Sequence, residues 1–394
     1  MLFFISGLLF RLVFTTASPK LSDDFFRFTW DGELISDGIS PFSFKPKMYK
    51  SQFKDFPDLI DKYEKLLESN TEDFPQGMNS KQYYSIYPTF NQAVFYASSW
   101  VSSPNEWNLT FMRLLLVIAE VVSFFMLKRL LVIYGKSESI AFLYWLNPLV
   151  IIEIVGNLHF EGFAIMFMLV GLWLLEKNRQ TTSAISVALA VATKLNPIFF
   201  LGAVYTQNGF KKSMQYGILV VLFVLGLFAI IFNVEYFQNF MKSFGLYFAW
   251  FEFNGGLYEF CNQLSRVVLG YLISDKLSLI FPVVTILLML RVTFYHKTLI
   301  TADKLALLFF IYFSFSPIVH PWYALLLLPF GILSGRFYVI IWTIMAFFSY
   351  SAYKVDGFNQ DLWVVFLEYL IVYSVFILEY KTTVFSSLRK SIFT

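Results

Sequence analysis

A short stretch after the first apolar segment contains side chains able to do chemistry at a membrane surface. Residues 21–42 read LSDDFFRFTWDGELISDGISPF and include Asp23, Asp24, Arg27, Trp30 and Asp31. A carboxylate can remove a proton from a hydroxyl, a guanidinium can bind a phosphate, and an indole can stack on a sugar. A solvated helix cap is the simpler explanation of the two adjacent aspartates.

Three further groups of polar side chains lie at the ends of apolar segments. They are Asn157, His159 and Glu161 in VGNLHFEGF, Lys194 and Asn196 in ATKLNPIF, and His320, Trp322 and Tyr323 in SPIVHPWYALL. Taken singly, each group has a simpler explanation as a polar loop, a snorkelling lysine or a helix start. Ionisable groups beside apolar segments are costly unless they are paired or face water, so their convergence on one membrane face predicts a functional site.

The composition indicates an integral membrane protein. Hydrophobic residues make up 57% of the 394 positions, and charged residues only 14%. The net charge of +3 is too small, and too scattered over short loops, to indicate nucleic-acid binding. A single cysteine, Cys261, excludes an internal disulfide and a metal site built from several thiolates, so we interpret it as a packing residue.

Apolar segments long enough for helices recur along the whole chain. We predict them near 2–17, 110–127, 139–155, 160–175, 184–205, 214–232, 264–290, 301–315, 320–333, 337–352 and 362–379. The first is interpreted as a retained span rather than a cleaved signal, because Arg11 interrupts it. Lys194, Asn196 and Pro197 interrupt 184–205, which predicts two short helices that meet at a polar corner.

Basic residues at short turns predict the orientation. Those assigned to the cytoplasmic side are Lys128, Arg129, Lys136, Lys177, Arg179, Lys211, Lys212, Arg291, Lys297, Lys304, Lys381, Arg389 and Lys390. The external side then holds 18–109, 156–161, 194–197, 233–263, 316–322 and 353–361. Residues 1–394 form one membrane domain in this interpretation, and the helix near 86–103 does not cross the bilayer. We expect an amphipathic surface helix at 62–69 in the first loop, and an interfacial, aromatic-rich second loop at 233–263.

The order of several motifs resembles the GT-C superfamily of polyprenyl-phosphate-sugar-dependent glycosyltransferases. The motifs are DDxxRxxWDG followed by GISPF, YSIYPTF at 84–90, NPLV with GNxHxE at 147–161, ATKLNP at 192–197 and SPxxHPWY at 316–323. The resemblance covers nearly the whole chain. It is closest to bacterial mannosyltransferase-like membrane proteins, and more distant to the GPI mannosyltransferase that adds the first mannose.

The resemblance implies an all-α fold, a bundle of about 11 to 13 transmembrane helices whose long first external loop carries short amphipathic helices and the catalytic acid. It also implies a hexose donor, most simply mannose on polyprenyl phosphate, and a lipid- or glycan-linked acceptor. Transfer would occur on the periplasmic face of a bacterial inner membrane. In the GPI branch the acid is written D-x-D; Asp23 matches its first aspartate, whereas the second falls on Phe25. Asp23 and Asp24 are therefore both candidates for the base, with Asp23 preferred.

Direct attack of an acceptor hydroxyl on the anomeric carbon would invert that centre while the aspartate removes the proton. The leaving phosphate needs positive charge, and the candidates are Arg27, Lys194 and His320. The candidates for sugar or acceptor binding are Trp30, Asp31, Asn157, His159, Glu161, Trp322 and Tyr323. No cofactor is expected because the donor lacks a diphosphate, although a divalent ion at Asp23 and Asp24 stays open.

Two other classes remain as alternatives. A transporter or flippase of lipid-linked substrates would have polar residues near the middle of its spans, on interrupted helices in two related halves. An O-antigen ligase or polymerase-like enzyme would use diphosphate donors and rely on external arginines, for which only Arg27 and Arg266 are available. A structural scaffold is the least favoured class, because it gives no reason for polar residues on one side.

Overall fold

The computed structural model describes residues 1–101, 107–250, 252–296, 298–354 and 357–381. Its α-helices are α1 (Leu2–Val13), α2 (Asp24–Ser36), α3 (Tyr49–Gln52), α4 (Pro57–Glu68), α5 (Thr89–Ser99), α6 (Trp107–Ile133), α7 (Phe142–Trp145), α8 (Pro148–Val150), α9 (Glu161–Glu176), α10 (Gln180–Thr193), α11 (Phe200–Ala229), α12 (Val234–Trp250), α13 (Gly256–Leu269), α14 (Ser274–Tyr295), α15 (Thr301–Ser314), α16 (Leu328–Ser334), α17 (Phe337–Met345) and α18 (Leu362–Lys381).

Short helices of other types join these elements. The 3₁₀ helices are Phe14–Thr16, Pro46–Met48, Asn79–Gln82, Glu138–Ala141, Asn196–Phe199, Pro321–Leu326 and Ala346–Ala352, and a π-helix covers Ile151–Gly156. Strands β1 (Tyr353–Lys354) and β2 (Gly357–Phe358) form a two-stranded antiparallel hairpin that pairs Tyr353 with Phe358. The protein is thus an all-helical polytopic membrane protein, apart from this hairpin.

Fewer helices cross a bilayer continuously than expected. Among the described residues, Gly209–Ala229, Ser274–Tyr295 and Leu362–Lys381 are long and apolar enough, and Glu138–Trp145 with Pro148–Gly156 adds a span bent by 54°. The expected number of about 11 to 13 exceeds this, because prolines divide apolar segments into shorter helices. Pro148, Pro197 and Pro321 each stand at the start of a new short helix, where a missing amide hydrogen costs least.

The predicted break within 184–205 is confirmed. Helix α10 ends at Thr193, Lys194 has extended backbone angles, and the next helix starts at Asn196. Helices α10 and α11 then pack against each other. The helix predicted not to cross the bilayer is short: α5 has 11 residues and packs on α2, α6 and α10. At 1.5 Å per residue it measures about 16 Å, roughly half of the hydrocarbon thickness.

The segment 233–263, predicted to be an external loop, is helical. Most of 233–263 belongs to α12 and α13, and the predicted span 264–290 begins as α14 only at Ser274. Gly270 ends α13 with a φ of +82°, a left-handed conformation that glycine adopts without steric cost. Helix α4 covers residues 62–68 of the amphipathic helix predicted at 62–69. Lys297, Arg389 and Lys390, used above for orientation, lie outside the described residues.

One hydrophobic core unites the helices between α1 and α6 with the rest of the bundle. It extends from Phe25 in α2 to Val372 in α18, so the region 18–101 is packed onto the later helices. Helix α1 is held by Arg11, which is fully buried and lies 2.9 Å from the carboxylate of Glu120 in α6. The Arg11 guanidinium also lies 3.8 Å from the centre of the Trp145 ring. These contacts explain how an arginine can interrupt the first apolar segment without breaking the bundle.

Candidate active site

The first element of the site is the start of α2. Asp23 precedes this helix and Asp24 is its first residue, a position where the helix dipole favours negative charge. Both carboxylate oxygens of Asp23 accept hydrogen bonds from Asn79, from the backbone N–H at 2.9 Å and from the side-chain amide at 2.8 Å. Asp23 therefore ties the start of α2 to the 3₁₀ helix Asn79–Gln82.

The two aspartates face different surroundings. Burial, and then the neighbouring charge of Asp24, raise the pKa of Asp23 to about 7. Burial also raises the pKa of Asp24, against the opposing effects of the charge on His159, a hydrogen bond from Tyr87 and the charge on Lys194. Asp24 is thus the aspartate that faces side chains from the middle of the chain.

A buried glutamate organises the second element. Glu153 lies in the π-helix and is fully buried. Its Oε2 lies 2.7 Å from Nδ1 of His159, its Oε1 accepts a hydrogen bond of 3.0 Å from the Asn157 amide, and the Tyr350 hydroxyl also donates to it. Leu158 has a φ of +62°, which is rare for a residue with a branched side chain and turns the chain so that His159 returns to Glu153.

Asn157 connects this element with the first one. Its Oδ1 accepts hydrogen bonds from the backbone N–H groups of Lys20 and Leu21, at 3.3 and 3.2 Å. Because these residues lead into Asp23 and Asp24, Asn157 positions the start of the acidic stretch. Its contacts are consistent with a supporting role, and sugar binding by Asn157 stays a prediction.

A stack of three rings forms the centre of the cluster. The Trp322 ring lies between His159, with centroids 3.8 Å apart, and His320, with centroids 4.3 Å apart and planes within 3°. His320 also stacks on Phe253 at 4.9 Å. Burial, followed by the positive charges of Lys194 and His159, lowers the pKa of His320 well below its ordinary value. His320 is therefore neutral, and a phosphate would find a hydrogen-bonding group there rather than the expected cation.

Lys194 is the principal cation of the cluster. It follows the end of α10, forms an ion pair with Glu161 at the start of α9, and lies 4.0 Å from the centre of the Tyr323 ring. Its side chain keeps 25% of its surface exposed, whereas that of Glu161 keeps 4%. The polar corner at the break of 184–205 thus delivers a partly accessible ammonium group to the site.

Arg27, Asp31 and Trp30 have other partners than the ring stack and Lys194. The Nε of Arg27 donates to Asp31 at 2.7 Å, and its Nη1 donates to the carbonyl of Tyr83 at 2.9 Å. Asp31 also accepts hydrogen bonds from Ser85 and Gln92. This buried network connects α2 to residues 83–92. Tyr87 interacts both with the charges of this network and with Asp24.

These contacts limit the predicted roles of the three residues. Nη2 of Arg27 makes no hydrogen bond within the described part of the chain, so phosphate binding by Arg27 stays a prediction. Trp30 is fully buried, and its ring packs against Tyr63 with centroids 4.9 Å apart. A sugar would reach the Trp30 ring only after a rearrangement of this part of the core.

Several residues of the cluster were missed from the sequence. They are Glu153, Asn79, Tyr87, Tyr350 and Tyr353. Glu153 had a signal, because it is the charged residue inside the apolar run PLVIIEIVG. The tyrosines carried none, since tyrosine is common at membrane interfaces. Burial and the charges of Asp24, Asp23 and Glu153 raise the pKa of Tyr353, so its hydroxyl lies near the acids.

Carboxylates and histidines meet in this site, yet the described residues contain no group of three His, Cys, Asp or Glu side chains placed to hold a metal ion. The expectation that catalysis needs no metal or other cofactor stays a prediction.

The fold and the site define a class: a polytopic helical membrane protein whose ionisable side chains, drawn from separate helices, meet beside its apolar segments. Residues 86–207 match the MptA_B family model, described as alpha-(1->6)-mannopyranosyltransferase, N-terminal domain. The match contains Glu153, His159, Glu161 and Lys194, whereas Asp24 lies outside it. It supports a mannosyltransferase family of the GT-C type, and with it mannosyl transfer. No curated protein matches the sequence.

Proposed function

We propose that the protein is a membrane mannosyltransferase that moves mannose from polyprenyl-phosphate mannose to a lipid- or glycan-linked hydroxyl. One observation carries the proposal: a half-buried carboxylate, Asp24, lies under the electrostatic influence of His159, Glu161 and Lys194. A base and the cations for a leaving phosphate are thereby assembled in one place, as sugar transfer from a phosphate donor requires. The family match over 86–207 supports the choice of mannose.

In this reaction the acceptor hydroxyl attacks the anomeric carbon of the donor, and the bond from that carbon to the phosphate oxygen breaks. The acceptor proton passes to Asp24, and polyprenyl phosphate leaves, so the anomeric centre is inverted. We prefer Asp24 to Asp23 as the base because both oxygens of Asp23 are engaged by Asn79.

Lys194 is the cation best placed for the leaving phosphate. It forms an ion pair with Glu161, and its partial exposure leaves room for a second anionic partner. The side chains of Trp322 and Tyr323 lie beside it and offer ring faces and edges to a sugar or an isoprenoid chain. Glu161 and His159 complete the polar lining.

The proposed external position of the site follows from α6. Near its start, Arg113 donates to the carbonyls of Val155 and Gly156, next to the site, at 3.0 and 2.9 Å. Lys128 and Arg129 lie near its end, about 22 Å away along the helix axis. Because basic residues favour the cytoplasmic side, this separation supports a site on the periplasmic face of an inner membrane.

The deciding experiment is transfer of labelled mannose from polyprenyl-phosphate mannose in proteoliposomes. Wild type is compared with Asp24→Asn and Asp23→Asn, each checked for folding by thermal unfolding. Loss of about two or more decades in rate in Asp24→Asn, with a smaller loss in Asp23→Asn, supports the proposed base. The assignment of Asp24 is wrong if its variant retains the wild-type rate.

A transporter of lipid-linked substrates is the second candidate, and one observation favours it. Two helices are interrupted, one bent by 54° between Trp145 and Pro148, the other broken after Thr193. Transporters build substrate sites from such broken helices. Movement of intact labelled donor across the proteoliposome membrane, without any transfer of mannose, would favour the transporter over the enzyme.

A further inference from the structure

The two nitrogens of His159 differ: Nδ1 is in ion-pair contact with Glu153, whereas Nε2 has neither a hydrogen-bond nor an ion-pair partner among the described residues. The imidazole is 3% exposed, and its Nδ1 lies 2.7 Å from Glu153. Its Nε2 is buried and makes no hydrogen bond within the described part of the chain. A buried polar atom without a partner costs free energy, and at functional sites it commonly awaits a ligand.

The surroundings of His159 determine its charge. Three acids favour the protonated imidazole of His159: Glu153 on the π-helix, Glu161 on α9 and Asp24 on α2. Two other groups lie nearby, the cation Lys194 and the neutral ring of His320. Although burial opposes the charged form, the hydrogen bond and charge of Glu153, with the other two acids, raise the pKa of His159. The Glu153 carboxylate also receives hydrogen bonds from Asn157 and Tyr350, which hold it in place.

Trp322 separates the two histidines and distinguishes them. Both imidazoles stack on its faces, and Nδ1 of His159 lies against the Glu153 carboxylate. Burial, followed by the positive charges of Lys194 and His159, disfavours a second cation on His320, so the positive charge of the stack resides on His159, beside Glu153. An imidazolium over an indole face is stabilised further by the ring's quadrupole.

We propose that His159, held as an imidazolium by Glu153, binds the departing phosphate of the polyprenyl-phosphate donor through its Nε2–H group. This inference rests on the proposed function and changes the expected role of His159 from sugar binding to phosphate binding. Glu153 is then a positioning residue, because it acts on the phosphate through His159. The ligand class is a phosphate monoester on a long isoprenoid chain.

The proton balance of the step is simple. The acceptor oxygen forms a bond with the anomeric carbon, the bond from that carbon to the phosphate oxygen breaks, and Asp24 takes the acceptor proton. His159 keeps its own proton throughout and donates a hydrogen bond to the phosphate as negative charge develops there. Lys194 supplies the second positive charge.

The test measures binding of polyprenyl monophosphate, which carries no sugar, to the full-length protein in nanodiscs. Wild type, His159→Gln and Glu153→Gln are compared by titration between about pH 6 and pH 9. We expect the affinity of both variants to fall about ten- to hundredfold at the lower pH values, as for loss of a hydrogen bond to a charged group. Wild-type affinity should fall as pH rises, and in Glu153→Gln this fall should occur at lower pH.

Three controls make the outcome specific. Glu120→Gln changes a fully buried carboxylate whose partners are Arg11 and Tyr144, and it should leave the pH dependence of binding unchanged. His159→Arg provides a fixed cation, so its affinity should no longer fall over this pH range. Uncharged polyprenol should bind all variants alike, since it lacks the phosphate.

The inference is overturned if His159→Gln binds polyprenyl monophosphate as tightly as wild type, or if the wild type does not bind it. It is also overturned if Glu153→Gln, shown to be folded, leaves the pH dependence unchanged; where that variant fails to fold, Tyr350→Phe replaces it and should cause a smaller shift. Binding that depends on His159 without any mannose transfer would refute the proposed function and leave the phosphate site standing. If the wild type transfers mannose and both His159→Gln and Glu153→Gln bind polyprenyl monophosphate as the wild type does, the phosphate-binding role of His159 is refuted and the proposed function is not.

Discussion

Two buried charge clusters lie at opposite ends of α15. In the first the charged groups are paired with each other, and in the second a buried nitrogen has no partner among the described residues. Near the start of this helix, Asp303 binds Nε of Arg336 at 2.8 Å and also its Nη2, and the Tyr380 hydroxyl donates to the same carboxylate. Beyond its end, His320 and Trp322 join Asp24, His159 and Lys194, where Nε2 of His159 has no partner among the described residues.

The difference separates a structural role from a functional one. A bidentate arginine–carboxylate pair satisfies its own charges, so the Asp303–Arg336 pair connects α15 to the turn between α16 and α17 and needs no ligand. The active-site cluster keeps acids with raised pKa values and an incompletely bonded histidine, at a cost in stability that a bound phosphate would offset. The same sequence signal, charge within an apolar chain, therefore has two meanings.

The largest effect should come from Asp24→Asn, which removes the proposed base from the active-site cluster. The rate of mannose transfer should fall about 10²- to 10⁴-fold, while thermal unfolding changes little, because a partly desolvated carboxylate is replaced by a neutral amide. Initial rates at saturating donor measure the effect. If Asp24→Asn unfolds at the temperature of the assay, the prediction that it loses activity without losing stability is wrong.

Arg336→Met should have its main effect on stability. It leaves Asp303 buried without its ion-pair partner, so the free energy of unfolding should fall by about 3–5 kcal/mol. Denaturant titration in micelles measures this loss, and mannose transfer per folded molecule should stay near wild type. The double variant Arg336→Met with Asp303→Asn should recover part of the stability, and no recovery would argue against the pair as the cause.

Lys194→Gln should reduce kcat/KM for the donor about ten- to hundredfold, because it removes a charge-assisted contact with the phosphate. Lys194→Arg keeps the charge and should recover part of the loss. Lys212→Gln, a change on the basic turn assigned to the cytoplasmic side, is the matched control and should have no effect. Equal losses in the Gln variants of Lys194 and Lys212 would indicate a general effect of charge on the membrane protein.

The smallest expected effect concerns pH. The pKa of Asp23 is raised to about 7, so activity should rise as pH increases through this value and the acidic pair ionises. Asp23→Asn removes a neighbouring negative charge and should move this rise to lower pH, whereas Asp303→Asn should not. Since the folded-state pKa lies above its ordinary value of 3.8, Asp23 contributes stability at low pH that is lost as pH rises through about 7. A profile with its rise at the same pH in Asp23→Asn would contradict the coupling.

Local features of the chain predicted where the helices break. They predicted the lengths of the helices less well. The corner at Lys194 and Pro197 was predictable because proline removes a backbone donor and the polar residues beside it resist burial. The division between α13 and α14 at Gly270 was missed, since both sides of the glycine are apolar and the pattern reads as one span. The helical nature of 233–263 was missed for a related reason: aromatic residues suit an interface in either conformation.

The sequence by itself determined the membrane class of this protein and the residue types available for its site, because composition and hydrophobic runs are properties of the chain alone. Only the tertiary structure decided which of those residues meet. Arg27 and Asp31 pair with each other, Glu153 joins His159, and Trp322 stacks between the two histidines. These outcomes depend on burial and on partners distant in the chain, and both the pKa of a group and its hydrogen bonds are set by such neighbours.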